Sequence, residues 1–291
     1  MKSLILILSL FAVSSYANEA SINAFSDKMS EHHQFDRAEI NQLISSIEPN
    51  ETILRLFRKP FTSIPWDEFE AKLVHERRIR DGIAFWKENA EALKKAEEVY
   101  GVPPEVIVGL LGVETNYGNN IGGYRVLDAL ITLGFYAHRR QEYFQYELEH
   151  FLIIARELSW NYDELKGSYA GAIGITQFMP SNIKKFAVDF DGDGKIDLVT
   201  NKTDAIGSVA NYLSKVGWKR NDPIAIQVSM KGPKSNTMVL RTLPGPAPTR
   251  WKHLHNFEVI KRYNPSDSYA MTIFILSNRI QAGYSPSLIN Y

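Results

Sequence analysis

Glu114 is the residue whose surroundings most clearly point to chemistry. It sits in Val106-Ile-Val-Gly-Leu-Leu-Gly-Val-Glu-Thr-Asn-Tyr-Gly118. Pro103-Pro104 suit the first turn of a helix, and Ile107, Leu110 and Leu111 recur at spacings of three and four. Glu114 falls on the same stripe. A carboxyl among apolar side chains is costly to ionise, so its pKa rises and it keeps its proton near neutrality, as a general acid must. The structural alternative is a glutamate that snorkels from the helix end or pairs with an arginine.

Two other clusters have a chemical reading. Asp189-Phe-Asp-Gly-Asp-Gly-Lys-Ile-Asp-Leu198 follows an EF-hand calcium loop. Asp189, Asp191 and Asp193 occupy positions one, three and five, Gly194 position six, the Lys195 carbonyl position seven and Asp197 position nine. Position twelve departs, because Thr200 stands where a bidentate Glu belongs. Oxygen-only ligands favour Ca²⁺ over Zn²⁺, and the alternative is a plain acidic turn. Arg139-Arg140 open a predicted helix over Arg139–Leu158, where cations oppose the dipole; a salt bridge to Glu142 or Glu147 is the structural reading. The chain has no cysteine, which excludes disulfides and thiolate chemistry. Its seven histidines show no H-E-x-x-H spacing, and His32-His33 read as a solvated pair.

The elements around these residues are mostly helical. Asp36 is placed to cap Arg37–Ile47, and Trp66–Tyr100 reads as two helices, with Gly82 either an interruption or a glycine tolerated inside a helix. Further helices are predicted over Pro104–Asn116, Tyr124–Tyr136, Ser181–Val188, Thr203–Val216 and Pro265–Ile280. Gly167–Ser181 is so rich in small residues that its backbone must pack close to another helix or a ligand. From Lys219 the period changes. Ile224, Ile226, Val228 and Met230 alternate as in a strand, Met238-Val-Leu-Arg241 returns it, Leu243-Pro-Gly-Pro-Ala-Pro248 is a stiff loop, and Phe257–Lys261 reads as another short strand.

With 291 residues, 44% apolar and 23% charged, the chain can bury a sizeable core. Lys+Arg and Asp+Glu both number 33, which argues against bulk attraction to nucleic acid or anionic membrane and leaves local patches open. Lys2, the apolar run Leu4–Val13 and Ser15-Tyr-Ala17 read as a secretory signal cleaved after Ala17, or else after Ala20, and no later segment is apolar enough to span a membrane.

Several stretches together resemble one family, the lytic murein transglycosylases of the membrane-bound transglycosylase B type. They include Gly101-Val-Pro-Pro-Glu, Val113-Glu-Thr-Asn-Tyr-Gly118, Asp128–Phe135, Lys166–Ser181, Ala187–Gly194, Asp204–Tyr212 and Arg262–Ala270, in order over most of the chain from Trp66 to Tyr269. The resemblance implies a mainly α (α+β) protein with a lysozyme-like helical core. It implies cleavage of the β-1,4 bond between N-acetylmuramic acid and N-acetylglucosamine in peptidoglycan, leaving a 1,6-anhydro end, with Glu114 as the single catalytic acid. The residues also allow a hydrolytic muramidase, whose product is heavier by one water, or a non-catalytic peptidoglycan-binding protein.

By resemblance, Ser168 lies near the acid, Gln177 contacts sugar, and Phe178 and Met179 form a subsite wall. Tyr212, Tyr263, Asn264 and Tyr269 match cleft positions, and Arg139 and Arg140 reach the stem peptide, whose carboxylates suit guanidinium forks. The resemblance also lengthens the calcium loop so that Asp204 supplies its last acid. Phe69 departs, standing where relatives place a tyrosine, and the missing cysteine removes the lipid acceptor. The expected organisation is a signal peptide over 1–17, an N-terminal helical region over 18–100, a catalytic core over 101–218 and 256–291, and a β-rich insertion over 219–255. The expected partners are glycan strands and stem peptides, with cell-wall synthesis proteins as further candidates, for an exported, periplasmic, soluble monomer that binds structural Ca²⁺ and needs no catalytic cofactor.

Overall fold

The computed structural model describes residues 19–58, 65–232, 234–240 and 248–284. The signal segment and most of the stiff loop at 243–248 lie outside the described residues. The chain forms two compact units whose stretches interleave along the sequence.

The first unit comprises residues 1–59, 122–173 and 178–184. Its helices are α1 (19–33), α2 (Arg37–Ser45), α3 (Glu51–Arg58), α8 (Val126–Tyr136) and α9 (Gln141–Glu157). The Asp36 carboxylate accepts from Glu39 N at 2.9 Å and so starts α2 as its spacing predicts. The core is built by α8, buried along nearly its whole length, against α9 through Leu148, Phe151 and Leu152. A two-residue ribbon, β1 (Tyr124–Arg125) with β2 (Lys166–Gly167), leads into the small-residue segment. That segment folds on itself, with Gly167 and Phe178 both bridging Ile173. Gly171, at φ +84°, lies where an added Cβ would meet Leu130 at 2.4 Å, so a helix explains the small residue here.

The second unit comprises residues 60–121, 174–177 and 185–291. It contains α4 (Trp66–Leu73), α5 (Glu76–Glu88), α6 (Ala90–Tyr100), α7 (Pro104–Thr115), α11 (Lys202–Lys215), α12 (His255–Lys261) and α13 (Asp267–Tyr284); α10 (Pro180–Phe186) begins in the first unit. The region predicted as two helices from Trp66 is three. The breaks fall at His75, whose ring nitrogen accepts from Arg78 N, and at Asn89. Gly82 lies inside α5, and a Cβ there would approach the Tyr117 hydroxyl at 2.5 Å, so it admits a neighbour rather than ending a helix. The same logic applies in α7, where a Cβ on Gly109 would lie 2.3 Å from Ser277 Oγ on α13. With nearly every α7 residue buried, α7 and α13 make the rigid bed of the site.

The sheet differs from the expected arrangement. β3 (Ala225–Val228) and β4 (Thr237–Leu240) do not pair with each other. β5 (Thr249–His253) lies between them, antiparallel to both, with Trp251 opposite Gln227 and Met238. Phe257–Lys261, expected as a strand, belongs to α12. Phe257 and Ile260 share its buried face, and Asn256 donates to the carbonyls of Lys219 and Asp222, both at 2.8 Å.

Candidate active site and metal loop

Glu114 occupies the last turn of α7, which closes at Asn116 in a left-handed conformation of φ 51°. A helix end faces its carbonyls outward, so nothing in α7 itself neutralises a carboxylate there. α13 faces it and supplies Tyr269, whose hydroxyl donates to Glu114 Oε1. Burial of the carboxyl raises its pKa to about 7, and the Tyr269 hydrogen bond opposes part of that rise by favouring the anion. Glu114 therefore holds its proton in much of the population at neutral pH, and the arginine pairing weighed for it is not what the structure gives. Tyr269 and Tyr263 are pushed well above the ordinary phenol value, first by burial and then by the charge of Glu114, so both stay neutral.

The rings form a chain behind the acid. Tyr212 and Tyr263 meet edge to face with centroids 4.9 Å apart, and Phe186 meets Tyr212 at 4.8 Å. Their hydroxyls are engaged with backbone. Tyr212 donates to Arg262 O at 2.6 Å, and Tyr263 donates to Thr176 O. Tyr263 thus holds the segment that carries Gln177. Asn264 is half-buried in the turn before α13, and its carbonyl accepts from Ser266 N at 2.7 Å.

Thr115 is the buried neighbour of the acid that sequence reasoning passed over. It is 1% exposed. Its hydroxyl donates to Ile175 O at 2.9 Å and accepts from Gly118 N at 3.0 Å. The residue beside the acid is thereby tied to the Gly174–Gln177 turn. Ile175 N on Leu198 O at 2.7 Å and the Gln177 amide nitrogen on Ile121 O at 3.0 Å complete the clamp. Gln177 adopts φ 52°, a conformation costly for a non-glycine residue, which this clamp enforces. The signal that could have found Thr115 is its position, a short hydroxyl residue one step beyond a catalytic candidate at a helix end.

The remaining candidates lie in the first unit. Ser168 Oγ accepts from Ala170 N at 3.2 Å and Ala172 N at 3.0 Å, which makes it a turn hydroxyl with its proton still available. Phe178 is 1% exposed and so packs the core, whereas Met179 is half-buried. Arg139 and Arg140 precede α9 rather than open it. Arg139 donates to Phe57 O and stacks 4.9 Å from that ring's centroid, and Arg140 stacks 4.2 Å from Tyr143. Glu147, one proposed partner for them, accepts instead from Ser181 N and Oγ, both at 2.9 Å. His33 is not merely solvated. Its Nε2 lies 2.7 Å from the buried Glu149, which Lys28 also pairs.

The acidic loop brings together carboxylate oxygens of Asp189, Asp191 and Asp204 within 4.8 Å of one another. Their position is fixed by backbone donors. Asp189 accepts from Gly192, Asp193 and Gly194, and the buried Asp204 accepts from Phe190 N and Asp197 N, both at 2.8 Å. Asp193 and Lys195 lie on the exposed turn, where Asp193 accepts from Lys195 N. Asp197 closes a turn on Val199 N and Thr200 N. An all-oxygen carboxylate set of this kind fits a hard divalent cation.

A mainly helical fold holding one half-buried, proton-retaining carboxyl, backed by neutral tyrosines, defines a lysozyme-like glycan-cleaving enzyme. The comparisons narrow this. The profile of the transglycosylase SLT domain matches residues 17–242 and 229–278. The chain is 38% identical to membrane-bound lytic murein transglycosylase B of Escherichia coli over 91% of its own length and 84% of that protein's. It is similar to the structure of the Escherichia coli lytic transglycosylase SLT35 in complex with calcium, with a TM-score of 0.80 at 38% identity, covering 91% of this chain and 93% of that one. It is also similar to SltB3 of Pseudomonas aeruginosa in complex with NAG-NAM-pentapeptide, with a TM-score of 0.78 at 26% identity, covering 92% and 80%. The chain belongs to the transglycosylase SLT family of lytic murein transglycosylases. It is a peptidoglycan lytic transglycosylase, a class whose product carries a 1,6-anhydro-N-acetylmuramic acid end.

Proposed function

We propose that Glu114 is the sole acid and base of this reaction. Supporting this is one observation above the rest: a carboxyl on the α7 bed whose pKa burial lifts to about 7, with a neutral tyrosine hydroxyl donating to it. Glu114 gives its proton to the oxygen linking N-acetylmuramic acid to N-acetylglucosamine as that bond breaks. The resulting carboxylate then takes the proton of the muramic C6 hydroxyl as that oxygen closes on C1. One carboxyl suffices because an intramolecular nucleophile has a large effective molarity. Ordinary glycosidases need a second carboxylate to activate water or attack the sugar. The cationic transition state is stabilised by the substrate's N-acetyl group or by dipoles of the site.

Gln177, clamped with its amide nitrogen on backbone carbonyls, presents its oxygen to sugar hydroxyls. Ser168 donates its hydroxyl proton to the muramic residue, Met179 offers a partly open wall, and Tyr263 and Asn264 shape the cleft behind the acid. Arg139 and Arg140 bind stem-peptide carboxylates, in keeping with the pentapeptide ligand of SltB3. The Asp189–Asp204 loop binds Ca²⁺ structurally, in keeping with the calcium complex of SLT35. The protein acts where peptidoglycan is, reached through the N-terminal signal segment. No described helix is long and apolar enough to cross a membrane.

The test is digestion of purified sacculi with mass analysis. Anhydro-muropeptides are expected from the wild type and about a thousandfold more slowly from Glu114→Gln, which still binds glycan. Anhydro product from Glu114→Gln at the normal rate removes Glu114 from its role.

A further inference from the structure

We infer that the first unit carries a second saccharide-binding groove, built where α1 and α9 end against the face of α2. The groove has a volume of about 810 Å³, within the range that holds small ligands. Both helices finish in the same way. Phe35 N bonds to Met29 O, six residues back, and Trp160 N bonds to Ala155 O, five back, each across a left-handed residue, Gln34 at φ 56° and Ser159 at φ 53°. Each cap therefore delivers an aromatic ring, Phe35 or Trp160, to the groove, and Tyr162 adds a third. Ile40, Leu152 and Ala155 are buried beneath as an apolar floor.

The polar rim decides the ligand class. The side chains of Gln34, Glu39, Gln42, Ser159, Trp160 and Tyr162 line the groove, and none of them hydrogen-bonds elsewhere among the described residues. The Arg156 guanidinium is already placed, donating to His33 O at 2.8 Å and stacked 4.0 Å from the centroid of Phe35. The charges that line the groove are the Arg156 cation and two carboxylates, Asp36 and Glu39, and Asp36 is already engaged as the cap of α2. With one cation against two carboxylates the groove has no surplus of positive charge to hold phosphate or anionic lipid. It accepts a neutral ligand with many donors and flat apolar faces, which describes an N-acetylated amino-sugar oligomer. For a polymeric substrate, a second foothold raises the local concentration of glycan at the first site.

The probe is the β-1,4-linked tetramer of N-acetylglucosamine, titrated into the full chain carrying Glu114→Gln and followed by the indole N–H resonances. The resonance identified as Trp160, because Trp160→Phe removes it, is expected to shift and saturate. The paired change Trp160→Ala with Tyr162→Ala is expected to raise KM on sacculi about tenfold. It should leave kcat and KM on a soluble tetrasaccharide fragment, and so the Glu114 chemistry, unchanged. The inference is overturned if the Trp160 resonance ignores the tetramer, if it responds to free stem peptide instead, or if the paired variant keeps the KM on sacculi. Because the resonance is read with the groove intact, a folding defect in the paired variant leaves the test standing.

Discussion

Two carboxylate sites in the second unit place the same functional group in contrasting surroundings. Glu114 is surrounded by apolar helix and has one donor, the Tyr269 hydroxyl. Desolvation outweighs that single hydrogen bond, and the pKa rises to about 7. In the acidic loop, Asp191 and Asp197 sit among amide and side-chain donors, and their pKa values are lowered. For the exposed Asp191 the hydrogen bond from Asn201 leads; at Asp197 burial raises the value, but the combined donation from Thr200, Val199 and Asn201 exceeds it. Asp204, buried against the same loop, goes the other way, because its burial outweighs the donation from Asp197 N and Phe190 N, so each value reflects burial set against donors. One arrangement suits the delivery of a proton, the other the binding of a cation.

The largest expected effect removes the protonated member of this comparison. Glu114→Gln should lower turnover by about a thousandfold, within the usual range for a general acid, while circular dichroism and glycan binding persist. The pH profile should follow the same group. The active form carries the proton, so kcat/KM falls as pH rises through about 7. Tyr269→Phe removes the donor that favours the anion and should move this limb to higher pH.

Stability gives the sign independently. The folded-state pKa exceeds the ordinary 4.5, so the native state binds the proton more tightly than the unfolded chain does. Stability then declines as pH rises from about 4.5 to 7 and is flat above. The span corresponds to about 3 kcal/mol at 1.36 kcal/mol per unit. Glu114→Gln should therefore gain in melting temperature relative to wild type as pH is raised across that window.

Smaller effects belong to the supports. Thr115→Val leaves the Ile175 carbonyl and Gly118 amide without their partner and should cost about 1–3 kcal/mol of stability. Turnover should fall about tenfold on the same scale, and Thr115→Ser should restore both. For the loop, Ca²⁺ at a hundred times its Kd should add about 2.7 kcal/mol of stability, read as a rise in melting temperature. Asp204→Asn should abolish that rise while leaving the Glu114 pH profile in place.

The parts legible in the sequence share a local cause. Asp36 starting α2, Pro104 starting α7 and the apolar stripe that carries Glu114 all follow from residues within one or two turns of each other. The EF-hand spacing announced the acidic loop, but Asp204 came only by resemblance, because it lies on another element, α11. What escaped was decided by distant partners. The sequence leaves Gly82 open between a break and a tolerated helical glycine because its contacts, Tyr117 and Ile280, are remote in sequence. β5 was missed because Thr249-Arg-Trp-Lys-His253 carries too few apolar residues to announce a central strand between β3 and β4. Phe257–Lys261 alternates like a strand over so few residues that only Asn256, bonded back to Lys219 and Asp222, distinguishes it as helix. Phe178, read beside Met179 as a wall, is 1% exposed while Met179 is half-buried. Adjacent positions in a tight turn face opposite ways, which no spacing rule reports.

The most direct measurement is the infrared titration of the Glu114 carboxyl, taken as the difference between wild type and Glu114→Gln. A protonated carbonyl band that persists at pH 6 and disappears with a midpoint near 7 is the predicted result. A band already absent at pH 5 would contradict the assignment of Glu114 as the proton donor.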